Sequence, residues 1–120
     1  MSNEELAQRA IACKGWRWMP GMLAQTPEGT RVGRVVERLR TGGVRLAGGG
    51  DVGWRCVPDL TDDLTRLGLI TLVQEAHPEC RIDLCLDMAR VIRSGGEAGN
   101  ITDGWLPTAE ALVAALEAAP

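Results

Sequence analysis

The chain has 120 residues, 45% of them hydrophobic and 24% charged, with a formal net charge of −3. That length suits one compact domain, and the balance excludes a disordered tail, a collagen or a coiled coil, each of which needs its own composition or repeat. Phe and Tyr are absent, so all four aromatic residues are tryptophan: Trp16, Trp18, Trp54 and Trp105.

Ser2 and Glu5 have the spacing of a capping box, and Leu6, Ala7, Ala10 and Ile11 recur on one helical face. Together they predict a short amphipathic helix over residues 3–13, stopped by Gly15. The block Gly15-Trp16-Arg17-Trp18-Met19-Pro20-Gly21-Met22 is bracketed by glycine and proline and reads as a structured loop or an edge strand. Three β-type runs follow: Val32, Val35, Val36 and Leu39; Val44 and Leu46; Val52, Trp54 and Cys56. Thr41-Gly42-Gly43 and Gly48-Gly49-Gly50-Asp51 separate them as turns, which predicts a three-stranded antiparallel meander, although Arg31–Arg40 also admits a helix.

Pro58-Asp59-Leu60-Thr61-Asp62-Asp63 has the form of a helix entrance, with Asp59 or Thr61 as cap and acids in the first turn. Leu64, Leu67, Ile70, Leu72 and Val73 then make a helix that is apolar on most faces, expected to pack centrally and to end at His77-Pro78. Residues 81–92 fit two periods; the alternation of Ile82, Leu84 and Leu86 favours a strand over 81–87, while Arg90, Arg93 and Gly95-Gly96 would make a good helix end. Trp105-Leu106 suits a short strand, and Pro107-Thr108 opens a last helix capped by Thr108, with Leu112, Val113 and Leu116 inward. The expected fold is α+β: a small single domain spanning residues 1–120, an antiparallel sheet packed with about three helices.

The net charge conceals +4 over residues 1–57 and −7 over residues 58–120. Such asymmetry fits a nucleic-acid or acidic-protein partner for the basic part, association of copies through complementary charge, or neutralisation of one half by the other inside the fold. Glu4 and Glu5 stand where a secretory signal needs positive charge, and the longest apolar stretch, Leu67–Val73, is too short to cross a bilayer. A cytoplasmic protein with no membrane partner is therefore expected. Its cysteines Cys13, Cys56, Cys80 and Cys85 are then expected to be reduced.

The chemistry-bearing residues form no catalytic or metal pattern. His77, Cys80 and Cys85 are the one local cluster, but structural zinc sites bring ligands in close pairs, so no metal and no cofactor are expected. A nucleophile needs a base and an orienting group, and His77 beside Cys80 lacks the third. Gly48-Gly49-Gly50-Asp51 lacks the Lys-Ser/Thr of a phosphate loop. No enzyme is expected. The block from Lys14 to Met22 remains: Trp16 and Trp18, two apart, put both rings on one side of an extended segment with Arg17 on the other, an arrangement suited to anchoring a partner. Against this, a chain without Phe or Tyr needs its tryptophans to fill the core.

Three segments carry a resemblance: Ala12-Cys13-Lys14-Gly15-Trp16-Arg17-Trp18-Met19-Pro20-Gly21-Met22, Pro58-Asp59-Leu60-Thr61-Asp62 leading into Leu67-Gly68, and the alanine-rich run Thr108–Ala119. In this order they resemble short uncharacterised proteins encoded by tailed bacteriophages and prophages of GC-rich bacteria. The resemblance implies a small α+β fold and, by analogy, a binder of host or phage macromolecules. The expected function is thus a non-enzymatic phage accessory protein that binds a protein partner, with inhibition of a host defence or regulatory complex as its setting. Lys14, Trp16, Arg17, Trp18, Arg31, Arg34 and Arg38 form its expected surface. The alternatives are a nucleic-acid binder using Arg31, Arg34, Arg38, Arg40 and Arg45, and a virion component that self-associates as a homo-oligomer.

Overall fold

The computed structural model describes residues 2–40, 43–50, 53, 55–93 and 99–119. Helix α1 (Asn3–Ile11) starts where expected: the Ser2 hydroxyl oxygen accepts the Glu5 N–H at 3.1 Å, and Glu4 and Glu5 sit in the positive first turn. Leu6, Ala7 and Ala10 form its buried stripe.

The first sheet has strand order β3-β2-β1-β4, built from β1 (Leu23–Gln25), β2 (Arg31–Arg38), β3 (Val44–Leu46) and β4 (Val57–Pro58), all antiparallel. The first two expected β runs are β2 and β3, paired as a hairpin with Val35 opposite Leu46, both buried. The Gly48, Gly49 and Gly50 turn runs at φ 87°, 94° and 89°, a region open to glycine alone without strain. Val52 and Trp54 lie outside the described residues, Cys56 precedes β4, and β4 pairs with β1 rather than with β3. β1 takes the place beside β2; its three residues are too few to show alternation in sequence, and Leu23 and Ala24, which point to opposite faces, are both buried.

Helix α2 (Asp63–Ala76) begins one residue later than expected, at the cap Asp62; neither Asp59 nor Thr61 caps it. Asp59 is buried and closes a local turn instead, its Oδ1 accepting the Thr61 N–H at 3.0 Å and the Thr61 hydroxyl at 2.6 Å. Thr65, Gly68, Leu69, Leu72 and Val73 are buried, whereas Leu64 and Leu67 face solvent, so the helix is half enclosed rather than central. Gly68 is where α2 meets the Trp-containing loop: a Cβ there would lie 3.2 Å from Met19 Cβ and 2.6 Å from Met22 Cε.

The ambiguous stretch is a hairpin. β5 (Cys80–Cys85) pairs in unbroken register with β6 (Met88–Arg93), and β7 (Leu106–Pro107) joins the far side of β6, giving a second antiparallel sheet. The strand expected over 81–87 is therefore its first arm. Arg90 and Arg93, which also suited a helix end, lie in the second. Helix α3 (Thr108–Glu117) has Pro107 at its cap position with no side-chain bond; Thr108, the expected cap, is its first residue and donates its N–H to the Asp87 carbonyl in the hairpin turn at 2.9 Å. Ala111, Leu112, Val113, Ala115 and Leu116 are buried on α3, which packs against α1, α2 and β6. Each leucine so enclosed contributes about 1.5–3 kcal/mol relative to exposure. One apolar core joins residues of α1, the first sheet, α2, β6 and α3, so the chain is a small α+β domain.

Asp62 ties these parts together. Its carboxylate accepts the Thr65 N–H at 3.0 Å and the Thr65 hydroxyl at 3.1 Å, which caps α2. It also receives both terminal nitrogens of Arg34 on β2, at 2.8 and 3.0 Å. Arg34 in turn donates to the Gly21 carbonyl at 2.7 Å, and the Thr65 oxygen accepts the buried Leu23 N–H at 2.9 Å. These charge-assisted bonds, the Arg34 pair first, hold the Asp62 carboxyl at about 2, below its ordinary 3.8. Two more pairs, Arg9 with Glu117 and Arg17 with Glu75, also join a basic-half residue to an acidic-half residue. For Arg9, Arg17 and Arg34 the two halves of the chain neutralise one another.

Because the folded value of Asp62 lies below its unfolded value, its contribution is complete above about pH 4 and is lost as pH falls toward 2, roughly 2 kcal/mol in all. Urea denaturation should show Asp62→Ala less stable by about 2–4 kcal/mol near neutral pH, with a shallower loss between pH 4 and 2 in Asp62→Asn than in the parent chain. Gly68→Ala should destabilise by about 1–3 kcal/mol in the same assay although alanine is the better helix former, because Met19 and Met22 leave its methyl no room.

Candidate interaction face

The residues expected to bind a partner are spread over separate surroundings. Trp16 and Trp18 do meet, with ring centroids 5.4 Å apart and planes at 77°, but both are half-buried and pack against the core. An edge-on pair of this kind favours the loop's own packing. Arg17 reaches Glu75 at 2.6 Å, and the Arg34 guanidinium is engaged by Asp62 and Gly21. Lys14 is exposed beside a cleft of about 320 Å³ that Arg9, Cys13, Leu116 and Glu117 also line. Arg31 and Arg38 are exposed at opposite ends of β2. Arg45, one of the arginines of the nucleic-acid alternative, pairs with Glu37 across the β2–β3 hairpin at 3.0 Å.

Cys13, Cys80 and His77 are part-buried, whereas Cys85 is exposed. Burial pushes the Cys13 and Cys80 thiols up, which keeps them protonated near neutral pH, and the Cys13 thiol donates to the Arg9 carbonyl. The His77 ring Nε2–H donates to the Ala115 carbonyl at 2.8 Å, joining the end of α2 to α3. Among the described residues no three His, Cys, Asp or Glu side chains cluster to hold a metal, and no helix is long and apolar enough to cross a membrane.

A different surface stands out on the second sheet. Its inner face, with Ala89 and Val91 fully buried, packs on α3. Its outer face carries no described helix. Rows of side chains cross it: Cys85, Met88 and Pro107; Asp83 and Arg90, with Trp105 beside them; Arg81 and Ile92. Asp83 receives Arg81 and Arg90, each at 2.9 Å, and the two guanidiniums, Arg90 foremost, hold its carboxyl below the usual range. The Arg90 guanidinium also lies 4.6 Å from the centre of the Trp105 ring, so one arginine is fixed from two sides. The loop that delivers Trp105 is fastened from beneath. Thr102 is buried, and its hydroxyl accepts the Val91 N–H at 3.1 Å and donates to the Gly104 carbonyl at 3.1 Å.

At the tip, Leu86 is 98% exposed at φ 53°, the sole non-glycine residue with positive φ among those described. In a two-residue hairpin loop that position ordinarily belongs to glycine. Leu84 at 57% exposure, Met88 at 37% and Trp105 at 40% surround the same end of the sheet. Sequence reasoning missed this face because Leu86-Asp87 is not a turn dipeptide. Once the hairpin is folded about it, Asp83 and Arg90 fall opposite one another.

An exposed leucine held at positive φ contributes strain without compensating burial. Leu86→Gly should therefore raise the stability of the chain by about 0.5–1 kcal/mol in urea denaturation, where most leucine-to-glycine changes lower it.

Comparison with protein-family models, with curated proteins and with solved structures finds no match to this chain.

Proposed function

We propose that this chain is a non-enzymatic binding protein whose contact surface is the outer face and tip of the second sheet, and whose partner is a protein presenting an apolar cleft. The observation that carries this reading is Leu86, exposed and at positive φ in a turn where a glycine would relieve the strain. Met88 and Trp105 extend its apolar surface, and Arg90, held by Asp83 and Trp105, offers a preorganised cation beside it. Rigid Trp and Arg groups next to apolar anchors are the side chains that dominate protein interfaces. The engagement of Arg34 and Arg45 with acids weakens the nucleic-acid alternative relative to this one. Taken with the resemblance of its three sequence blocks to short phage and prophage proteins, the reading is of an accessory protein whose partner belongs to the host or the phage, a host defence or regulatory complex among the candidates.

The test is affinity capture from the expressing cells, followed by titration of the purified captured protein against the full chain and its variants. Leu86→Asp and Trp105→Ala should each weaken binding by roughly tenfold or more with unchanged far-UV circular dichroism, and Arg38→Glu should leave it unaltered. Full affinity in both face variants contradicts the reading, as does capture of nucleic acid alone in a complex that dissolves steeply with salt.

A further inference from the structure

The second sheet has one long free edge, and its sequence is complementary to itself. We propose that β5 pairs antiparallel with β5 of a second copy of this chain, in register about Ile82, joining two three-stranded sheets into one of six strands.

Main-chain geometry supplies the first argument. The Val91 N–H and carbonyl are taken by Thr102 and Ile101, and the Arg93 N–H by the Gly99 carbonyl, so the odd-numbered residues of this part of β6 turn their backbone away from β5. Met88, Arg90 and Ile92 therefore exchange bonds with their partners Cys85, Asp83 and Arg81. By alternation, the N–H and carbonyl groups of Ile82 and Leu84, and the Cys80 carbonyl, point to the open edge, where no described strand pairs with them. The Cys80 N–H is already donated to the His77 carbonyl at 3.0 Å.

The second argument is charge. With Ile82 opposite the partner's Ile82, the outer face sets Arg81 against the partner's Asp83 and Asp83 against the partner's Arg81. The α3 side sets Ile82 on the partner's Ile82 and the exposed Leu84 on the partner's Cys80. Four main-chain bonds then form: two between the Ile82 residues, and one from each Leu84 N–H to the opposing Cys80 carbonyl, so the engaged Cys80 N–H is not needed. A register centred one residue later, on Asp83, opposes two carboxylates, which is unfavourable. One centred on Leu84 runs Ile82 and Arg81 past the strand end into the Leu86-Asp87 turn. The Ile82 register alone satisfies backbone and charge.

The contrast with the other edges is the third argument. β3 has three residues, β4 and β7 two each, and the last two contain Pro58 and Pro107, devices that discourage edge pairing. β5 has six residues and no proline, lysine or bulge, and its two charges are of opposite sign. An edge contact of this size is small, so the dimer is expected to dissociate at roughly micromolar concentration. The pairing shares Asp83 with the face proposed above but rests on the sheet edge, and it leaves Leu86, Met88 and Trp105 outside the strand pair.

Sedimentation of the full chain over a concentration series tests it. The parent chain should pass from monomer to dimer. Arg81→Asp and Asp83→Arg should each be monomeric alone, because each opposes like charges across the two-fold axis, yet an equimolar mixture of the two should dimerise, since every acid then faces an arginine. Leu84→Pro, which removes an N–H that β6 does not use, should be monomeric and remain folded by circular dichroism, and it decides the matter if either charge variant fails to fold. A parent chain still monomeric at about 1 mM overturns the proposal. So does a dimer that survives Leu84→Pro, or a mixture of two folded charge variants that stays monomeric.

Discussion

The carboxylate of Asp62 is the point on which the rest of the first sheet depends. A helix start leaves N–H groups without partners, and a short sheet of three- and two-residue strands has little backbone pairing of its own beyond β2. One side chain answers both needs. Asp62 caps α2 through Thr65, the Thr65 oxygen takes the buried N–H of Leu23 in β1, and Arg34 carries the connection into β2 and back to the Gly21 carbonyl. Fixing the start of α2 against β1 and β2 also fixes Gly68 against Met19 and Met22, and with them the loop that carries Trp16 and Trp18.

How far the sequence discloses this can be judged residue by residue. The Ser2 cap, the pairing of β2 with β3, and the inward Leu112, Val113 and Leu116 follow from local pattern, because each depends on neighbours within a few residues, while Thr41 and Gly42 of the expected turn between the two strands lie outside the described residues. The start of α2 is legible to within one residue of its flank, but Asp59, Thr61 and Asp62 are all residue types that cap helices. Asp59 is taken by Thr61, and Asp62 is held by Arg34, 28 residues away. β1 was invisible for a related reason: three residues carry no period, and their burial comes from strands and a helix distant in sequence. The charge asymmetry was plain in composition, while its partial resolution through the Arg9, Arg17 and Arg34 pairs needed the fold.

The candidate face illustrates the same limit from the other side. Trp16 and Trp18, two apart in sequence, suggest a binding block, and in the fold they meet edge to face, half-buried against the core. Trp105, isolated in sequence, lies under the Arg90 guanidinium on an open sheet. Asp83, Arg90 and Trp105 become a row only when the chain turns at Leu86-Asp87 and returns through β7. The strain stored at Leu86 and its full exposure are both costs to a domain of this size, and binding is the use that would offset them.

The junction of helix and sheet is tested most directly by the ionisation of one group. A carbon-detected NMR titration of the Asp62 carboxyl in the folded chain should give a midpoint near 2, returning toward its ordinary 3.8 in Arg34→Met while the rest of the spectrum stays folded. A midpoint near 3.8 in the parent chain, or one that Arg34→Met leaves unmoved, would contradict the claim that Asp62 and Arg34 join the helix to the sheet.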